Sequence, residues 1–262
     1  MDLGLNGKRA LVMSSSRGLG LGIAQALAAE GVDVLLTGRS ADKLAEAAEA
    51  ITAQGAGRAR YAVVDLTHAD AVERLVAAVG DTLGGVDILI NNTGGPPPGR
   101  MVDADPGVLA SQFDAMVMTV ISLTGRLMPE MRAQGWGRVI TIGSSGVIQP
   151  IPNLGLSNAL RSALVGWSKS LSGDVAADGV TVNMLLPGRI HTERVDELDA
   201  AASKRTGASL EDTRAASRAT IPAGRYGTVA EFAAVAAFLA SSQASYVTGS
   251  LIRCDGGAIK SV

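Results

Sequence analysis

The sequence has too few cysteines, aromatic rings and surplus charges for several classes of protein. Its single cysteine, Cys254, cannot form an internal disulfide, which fits a reducing compartment. Aromatic residues make up 3% of the 262 residues, too few for a surface on which nucleic-acid bases stack. The 23 basic and 25 acidic residues leave a net charge of −2 without a basic stripe. The sequence therefore argues against nucleic acid as the main partner.

Long apolar runs are also missing. No stretch approaches the length of about 18 apolar residues that spans a bilayer. The amino-terminal segment MDLGLNGKRALVM has an acid at position 2 and too short an apolar run for a signal peptide. The sequence therefore predicts a soluble, cytoplasmic protein with no membrane partner, and no metal site is predicted.

Short apolar, β-branched runs alternate with segments of helical period along the whole chain. The runs are RALVM (9–13), VDVLLT (32–37), RYAVVDL (60–66), VDILINN (86–92), GRVITIGS (137–144), VTVNMLLPG (180–188) and SLIRCDGG (250–257). Strands that alternate with helices form a mostly parallel sheet with helices on both faces. The sequence therefore predicts one α/β domain over residues 1–262, built on a doubly wound sheet of about seven strands.

One stretch, residues 189–226, departs from this alternation because it is polar and rich in Ala, Arg, Ser and Thr. A long insertion at the carboxyl end of a strand in such a fold is often a lid over a ligand crevice. We predict a substrate lid here. The alternative is a helical hairpin that only packs on a neighbouring element.

The first predicted strand leads into the glycine-rich turn MSSSRGLGLG (13–22). Glycines between a strand and a helix let backbone N–H groups approach a pyrophosphate at the helix N-terminus. Gly18, Gly20 and Gly22 are the candidates for this approach. Close packing of a strand against a helix also demands small residues. The position of the turn, after the first strand of an α/β chain, favours a Rossmann-like dinucleotide site.

The end of the second strand indicates which dinucleotide binds. An acid at this point hydrogen-bonds the ribose 2′-OH of NAD, but the segment TGRS carries Arg39 instead. Arg17 lies within the glycine turn, and two guanidinium groups suit a 2′-phosphate. The pattern favours NADP(H) over NAD(H). The alternative is that both arginines are solvated surface residues.

Further motifs follow the turn in chain order: VDLT with Asp65, NNTG (91–94), PGRIHT (187–192) and YVTGSLIRCDGG (246–257). With the turn, they resemble the short-chain dehydrogenase/reductase family over about residues 5–258, in the branch around bacterial 3-oxoacyl-acyl-carrier-protein reductases. The resemblance implies a small-molecule or acyl-carrier-linked carbonyl substrate and subunits paired as a homodimer or homotetramer. The cofactor-binding residues predicted from the arginines and the motifs are Ser14, Ser16, Arg17, Gly18, Leu19, Gly20, Arg39, Asp65, Leu66, Asn91, Gly94, Arg161, Pro187, Gly188, Ile190 and Thr192.

The catalytic positions depart from the family, which uses an Asn, a Ser, a Tyr and a Lys. Ser144, in ITIGSS, takes the serine position, and its alternative role is to cap the next turn. Met116, Ser157 and Arg161 stand where the family has Asn, Tyr and Lys. A serine hydroxyl is far less acidic than a phenol, and arginine stays protonated, so the family's proton path is broken.

Another residue could supply the proton. His191, in PGRIHT, lies beside the expected nicotinamide face, and histidine is a common general acid in enzymes. The alternative is that its ring turns outward to solvent. The tyrosines Tyr61, Tyr226 and Tyr246 are expected away from the site, Tyr61 in the strand core and Tyr246 in carboxyl-terminal packing.

Three functions stay open at this point. In the first, an NADP(H)-dependent oxidoreductase uses Ser144 and Arg161 to polarise a carbonyl, while His191 or a water linked to Ser157 supplies the proton. In the second, a non-catalytic protein keeps NADP(H), and in the third an assembly partner has lost it. Because the cofactor motifs are matched far better than the catalytic ones, we expect NADP(H) binding and favour the oxidoreductase.

Overall fold

Each of the seven predicted apolar runs contains a strand in the computed structural model, which describes residues 1–261. The strands are β1 (Arg9–Val12), β2 (Asp33–Gly38), β3 (Ala59–Val63), β4 (Ile88–Asn91), β5 (Gly137–Ile142), β6 (Val180–Pro187) and β7 (Leu251–Cys254). The helices are α1 (Gly18–Ala29), α2 (Ala41–Ala53), α3 (Ala71–Leu83), α4 (Pro106–Phe113), α5 (Thr119–Ala133), α6 (Gly155–Val175), α7 (Glu193–Thr206), α8 (Leu210–Ala219) and α9 (Val229–Ala240).

The strands form one sheet in the order β3-β2-β1-β4-β5-β6-β7, and every neighbouring pair is parallel. The order reverses between β1 and β4, so the connections leave these two strands in opposite directions. In such sheets the crevice outside the carboxyl ends at the reversal point takes the ligand. The predicted doubly wound α/β fold is confirmed.

Alternate residues of β1 supply the two faces of the sheet. Ala10 and Val12 pack with α1, α2 and α9, while Leu11 and Met13 pack with α3 and α5. This follows from the period of two along a strand, with both faces covered because the parallel strands are joined by helical crossovers. The carboxyl edge of the sheet is thereby left as the open side on which loops and ligand-binding residues collect.

A third apolar cluster lies beside the carboxyl ends of β5 and β6. It joins α5 and α6 to β6 through Val120, Leu160 and Met184. A π turn, Asp114–Met118, joins α4 to α5. The Thr119 hydroxyl donates a hydrogen bond to the Asp114 carbonyl oxygen. Such turns are frequent at functional sites. This one places Met116, at the family's Asn position, in the cluster.

Two expectations for the tyrosines are wrong. Tyr61 is 43% exposed because β3 is an edge strand with one open face, and Tyr246 is fully exposed rather than packed. Gly22 also has a different role from the predicted one. A Cβ there would lie 2.1 Å from a methyl carbon of Val229, so this glycine lets α1 approach α9 closely and does not face a ligand.

By length and composition, one helical segment of the described residues 1–261 could cross a membrane, which corrects the expectation that no stretch approaches this length. Pro106–Ala133 spans 28 residues and contains an 18-residue window with a mean hydropathy of 1.4. Core helices of globular proteins pass the same test. Val120 and Leu123 of this segment are fully buried, and 33% of the apolar window is buried inside the structure.

Candidate active site

The glycine turn takes the geometry of an anion-binding loop. Ser14 adopts a left-handed backbone conformation with φ of 47°, and Gly18, at φ of 60°, begins α1. Arg17 occupies the N-cap position, but its side chain makes no capping hydrogen bond. The first N–H groups of α1 are therefore left without a side-chain partner and carry the positive end of the helix dipole.

Asn92 holds the turn closed, a role that the sequence analysis did not assign. Its Nδ2 donates to the carbonyl oxygens of Met13 (3.2 Å) and Ser14 (3.1 Å). A Cβ on Gly20 would lie 2.6 Å from the Ser14 oxygen and 2.8 Å from Asn92 Nδ2, so only glycine fits beneath the turn. The tandem asparagines of NNTG were the available signal, since the second follows directly after β4, the neighbour of β1.

The two arginines predicted for a 2′-phosphate lie in different surroundings. Arg39 is exposed directly after β2, and its charge helps to lower the pKa of Asp65. The larger cause of that shift is the hydrogen bond from the Thr67 backbone N–H to Asp65. Arg17 is half exposed and forms an ion pair with Glu193 in the first turn of α7. Arg39 makes no ion pair within residues 1–261 and can bind an anion directly. Arg17 must first break its ion pair with Glu193.

The other predicted cofactor residues border the same crevice or support it. Gly94 is exposed, Ser16 lies against Gly38, and Leu19 and Leu66 are half-buried against the two core clusters. Asn91 is buried, and its Nδ2 donates to the hydroxyls of Thr124 (3.0 Å) and Thr141 (3.4 Å). Its contacts are internal, so the structure gives Asn91 a bracing role between β4, β5 and α5.

The segment after β6 reaches across to the glycine turn. Pro187 and Gly188 end the strand, and a Cβ on Gly188 would lie 2.6 Å from the Asp255 Cα. Ile190 is buried and pairs with Gly227, while Thr192 caps α7. A Cβ on Gly18 would lie 3.9 Å from the Thr192 methyl group. Residues 187–192 therefore form the wall opposite α1.

Ser144 and Arg161 each bond to the chain at the carboxyl end of β5. The Ser144 hydroxyl accepts a hydrogen bond from the Gly146 N–H at 3.0 Å, so the capping role is real. That bond uses a lone pair and leaves the O–H free to donate. The Arg161 Nη1 donates to the Ile142 carbonyl oxygen at 2.7 Å, two residues before Ser144. Ser157 is half-buried on the preceding turn of α6.

Arg161 is a buried cation. It is 9% exposed, and no carboxylate of residues 1–261 lies within ion-pair distance of it. Burial, with a smaller contribution from the charge of Arg194, lowers the pKa of Arg161 to about 10. The group therefore stays charged at neutral pH, without a counter-charge from the described chain.

The segment 189–226 forms two helices, α7 and α8, which are joined by an ion pair of Arg214 with Asp196 at 2.6 Å. Asp199 is fully buried and accepts hydrogen bonds from Arg189 (2.7 Å) and the Tyr226 hydroxyl (2.9 Å). His191 is 66% exposed, and its Nε2 lies 3.5 Å from Asp196. The histidine thus faces the helical segment and solvent, and makes no recorded contact with Ser144, Ser157 or Arg161.

These observations fit a phosphorylated dinucleotide. The uncapped end of α1 and the turn that packs closely on Gly20 suit a pyrophosphate, and Arg39 directly after β2 suits a 2′-phosphate. Within the described residues 1–261, no group of three His, Cys, Asp or Glu side chains could hold a metal ion.

Comparisons with known proteins agree with this geometry. The sequence model of the family described as enoyl-(acyl carrier protein) reductase matches residues 13–258. The chain is 34% identical over 257 residues to the 3-oxoacyl-[acyl-carrier-protein] reductase of Salmonella typhimurium, covering 97% of this chain and 98% of that protein.

Solved structures are equally similar. L-sorbose reductase from Gluconobacter frateurii, complexed with NADPH and L-sorbose, superposes with a TM-score of 0.94 at 32% identity over 100% of both chains. The 3-oxoacyl (acyl-carrier-protein) reductase from Agrobacterium tumefaciens, with NADP bound, gives 0.88 at 31% identity over 97% of this chain and 95% of that one. The chain therefore belongs to the short-chain dehydrogenase/reductase family of oxidoreductases.

Proposed function

We propose that this protein is an NADP(H)-dependent carbonyl reductase in which the substrate oxyanion is stabilised by Ser144, at the family's serine position, and by Arg161, at the position of the family's Lys. The observation that carries the proposal is the pair itself. Ser144, with a free O–H donor, follows the carboxyl end of β5, and the buried guanidinium of Arg161 is hydrogen-bonded to Ile142, the last residue of that strand. A carbonyl oxygen that gains negative charge needs donors of this kind in a site with little water.

Different residues along the crevice would hold the different parts of NADPH. The turn 14–20 and the first N–H groups of α1 take the pyrophosphate, and Arg39 with Arg17 takes the 2′-phosphate. Asp65 faces the adenine, while residues 187–192 and Arg161 border the nicotinamide ribose. When bound, NADPH supplies the hydride. Because Arg17 is paired with Glu193, binding of the phosphate there exchanges one ion-pair partner for another.

Ser144 and Arg161 act on the substrate oxygen. The Ser144 O–H donates to it, and the guanidinium adds a second donor with a full positive charge. Arg161 retains its proton at neutral pH because its pKa, although lowered, is about 10. The proton that turns the oxygen into a hydroxyl therefore comes from water hydrogen-bonded to Ser157, one helical turn before Arg161, and the hydroxide that remains is reprotonated from solvent. His191, being exposed, is the less favoured donor.

The substrate class and assembly extend the same proposal. The carbonyl compound is a small molecule or is linked to an acyl carrier, as in the 3-oxoacyl reductases. Residues 189–226 form a lid over the crevice within a single domain, and the hairpin formed by α7 and α8 is its body. The subunits pair through α5 and α6 as a homodimer or homotetramer, and the protein works in the cytoplasm.

Turnover of NADPH with 3-oxoacyl thioesters and small carbonyl compounds tests the proposal. We expect oxidation of NADPH with formation of the corresponding alcohol. Arg161→Ala is expected to weaken NADPH binding and to lower turnover further, since the same side chain borders the ribose and the reacting oxygen. NADPH binding without turnover of any carbonyl compound would favour a non-catalytic protein. Unchanged affinity in Arg161→Ala would remove this residue from the cofactor site.

A further inference from the structure

The segment that leads from Ser144 into α6 is held by a side chain of that helix. Asn158, in the first turn of α6, forms two hydrogen bonds with the main chain of Ile151. The Ile151 N–H donates to Asn158 Oδ1 at 3.2 Å, and Asn158 Nδ2 donates to the Ile151 carbonyl oxygen at 2.9 Å. Because one amide group both accepts and donates, it fixes the orientation of the main chain at Ile151.

The same amide packs against Gly146, which lies between Asn158 and Ser144. A Cβ on Gly146 would lie 2.4 Å from Asn158 Oδ1 and 3.2 Å from Ser144 Oγ. The Gly146 N–H in turn donates to Ser144 Oγ at 3.0 Å. An unbroken series of contacts therefore runs from the amide of Asn158 through Gly146 to the Ser144 hydroxyl.

Main-chain hydrogen bonds hold the two ends of this segment without Asn158. Near β5, the Val147 N–H donates to the Ser144 carbonyl oxygen at 3.1 Å. Near α6, the Gly99 N–H donates to the Asn153 carbonyl oxygen at 2.7 Å. The Asn158 amide joins the middle of the segment to the helix. Its removal would therefore loosen the middle of the segment, while both ends keep their partners.

The position of Gly146 matters because it determines where the Ser144 hydroxyl points. The Gly146 N–H occupies one lone pair of Oγ and leaves the O–H to donate elsewhere. A donor stabilises an oxyanion only when it is aimed at the place where the charge develops, and a misplacement of about 1 Å can cost about 100-fold in rate. A small shift of Gly146 would therefore lower turnover even with Ser144 present.

We propose that Asn158 is a positioning residue for the reduction, which acts through Gly146 to aim the Ser144 hydroxyl at the substrate oxygen. The inference rests on the proposed reductase function and adds to it a residue that is not itself a donor to the substrate. Its amide holds Ile151 and Gly146 in place, and Gly146 holds the catalytic oxygen.

A double-mutant cycle with Ser144 tests this role. Asn158→Ala is expected to lower kcat about 10- to 100-fold and to leave NADPH affinity unchanged, because the turn after β1 is not touched. In the Ser144→Ala background the same change should have little further effect, since no hydroxyl remains to be aimed. A residue that only supports the fold would lower kcat by the same factor in both backgrounds, and equal factors would overturn the inference. Asn158→Asp, which keeps the size and the acceptor but cannot donate when ionised, should repeat the result.

Asn183 provides the matched control because its side chain makes the same pair of bonds elsewhere. Its Nδ2 donates to the Val247 carbonyl oxygen at 2.7 Å, and its Oδ1 accepts from the Ser250 N–H at 3.2 Å. These bonds join β6 to the segment that leads into β7. Asn183→Ala should therefore unfold at a lower urea concentration, but the folded enzyme should keep its kcat.

Hydrogen exchange of single amides provides a measurement that does not depend on turnover. The Gly146 and Ile151 amides should exchange at least about tenfold faster in Asn158→Ala, and at the wild-type rate in Asn183→Ala. Unaltered exchange in Asn158→Ala would show that the side chain does not hold the segment, which would overturn the inference and leave the reductase function intact. Absence of carbonyl turnover in the wild type with NADPH bound would instead overturn the reductase function, and the role of Asn158 in turnover with it.

Discussion

The cofactor side and the catalytic side of the crevice are only two strands apart, yet they differ in how far they depart from the family's pattern. At β1 the turn keeps its left-handed backbone, its closing Asn92 and the space at Gly20, even though Ser14 replaces a glycine. At β5 the alignment that we predict from the sequence motifs keeps only Ser144, while Met116 is buried in an apolar cluster and Arg161 is buried without a carboxylate partner in residues 1–261. Cofactor binding depends mainly on backbone shape, which tolerates side-chain exchange. Proton transfer depends on particular side chains, which do not.

The largest expected effect is on turnover. Ser144→Ala removes one of the two donors to the carbonyl oxygen, so kcat should fall about 100- to 1000-fold, as when a single oxyanion donor is removed. NADPH affinity should stay unchanged because the turn after β1 is not touched. Steady-state kinetics with a fluorescence titration of NADPH measures both. Ser162→Ala, which removes an exposed hydroxyl bonded to the Asn158 carbonyl oxygen, is the control. Equal kcat in the two variants would remove Ser144 from the chemistry.

A smaller effect is expected at the cofactor side. Gly20→Ala places a methyl group 2.6 Å from the Ser14 carbonyl oxygen, so the turn has to shift at a cost of about 1–3 kcal/mol. Urea unfolding should show this loss, and NADPH affinity should drop about 10- to 100-fold. Gly166→Ala lies within α6, where a Cβ meets open space, and should instead be slightly stabilising. Unaltered NADPH binding in Gly20→Ala would mean that the dinucleotide does not use this turn.

Ser14→Gly tests whether a serine at the position of the family's first glycine lowers the free energy of unfolding. Ser14 has φ of 47°, a conformation that glycine adopts without the Cβ penalty. The variant should gain up to about 1 kcal/mol in free energy of unfolding and bind NADPH as well as the wild type does. A loss of affinity would show instead that the Ser14 hydroxyl contacts the cofactor.

The smallest expected effect concerns pH. Glu231 closes a capping box with Thr228 at the start of α9, the helix that packs on Gly22. Hydrogen bonds from Arg225 and then Thr228 lower its pKa from 4.5 to about 2. A carboxylate with a depressed folded-state pKa stabilises the protein above the unfolded value and loses that contribution as pH falls from 4.5 towards 2. Glu231→Gln should flatten the pH dependence of unfolding in this window. An identical slope in both proteins would contradict the assignment.

The seven strands, the parallel sheet and the glycine turn could be predicted because each depends on local periodicity or on neighbouring residues. Contacts between distant segments could not. The ion pair of Arg17 with Glu193 and the hydrogen bond of Arg194 with Pro96 join residues far apart in the chain. Tyr61 was misjudged because the position of its strand at the sheet edge depends on strand order, which hydrophobicity alone does not reveal.

The positive charge of Arg161 was predicted, but its burial without a carboxylate partner in residues 1–261 was not. Its position four residues after Ser157 follows from the sequence, while its burial depends on how α6 packs against the end of β5. Gly22 shows the same limit. The motif predicted that Gly22 lets the backbone approach a ligand. The structure shows instead that it lets α1 pack closely against α9.

A comparative titration of the purified protein with NADPH and NADH tests most directly whether the cofactor side is intact. We predict that NADPH binds at least about tenfold more tightly than NADH, because Arg39 gives the 2′-phosphate a charge-assisted partner, and that Arg39→Ser removes this preference. Binding of neither nucleotide would contradict the account, since the turn at β1 would then keep its shape without its function.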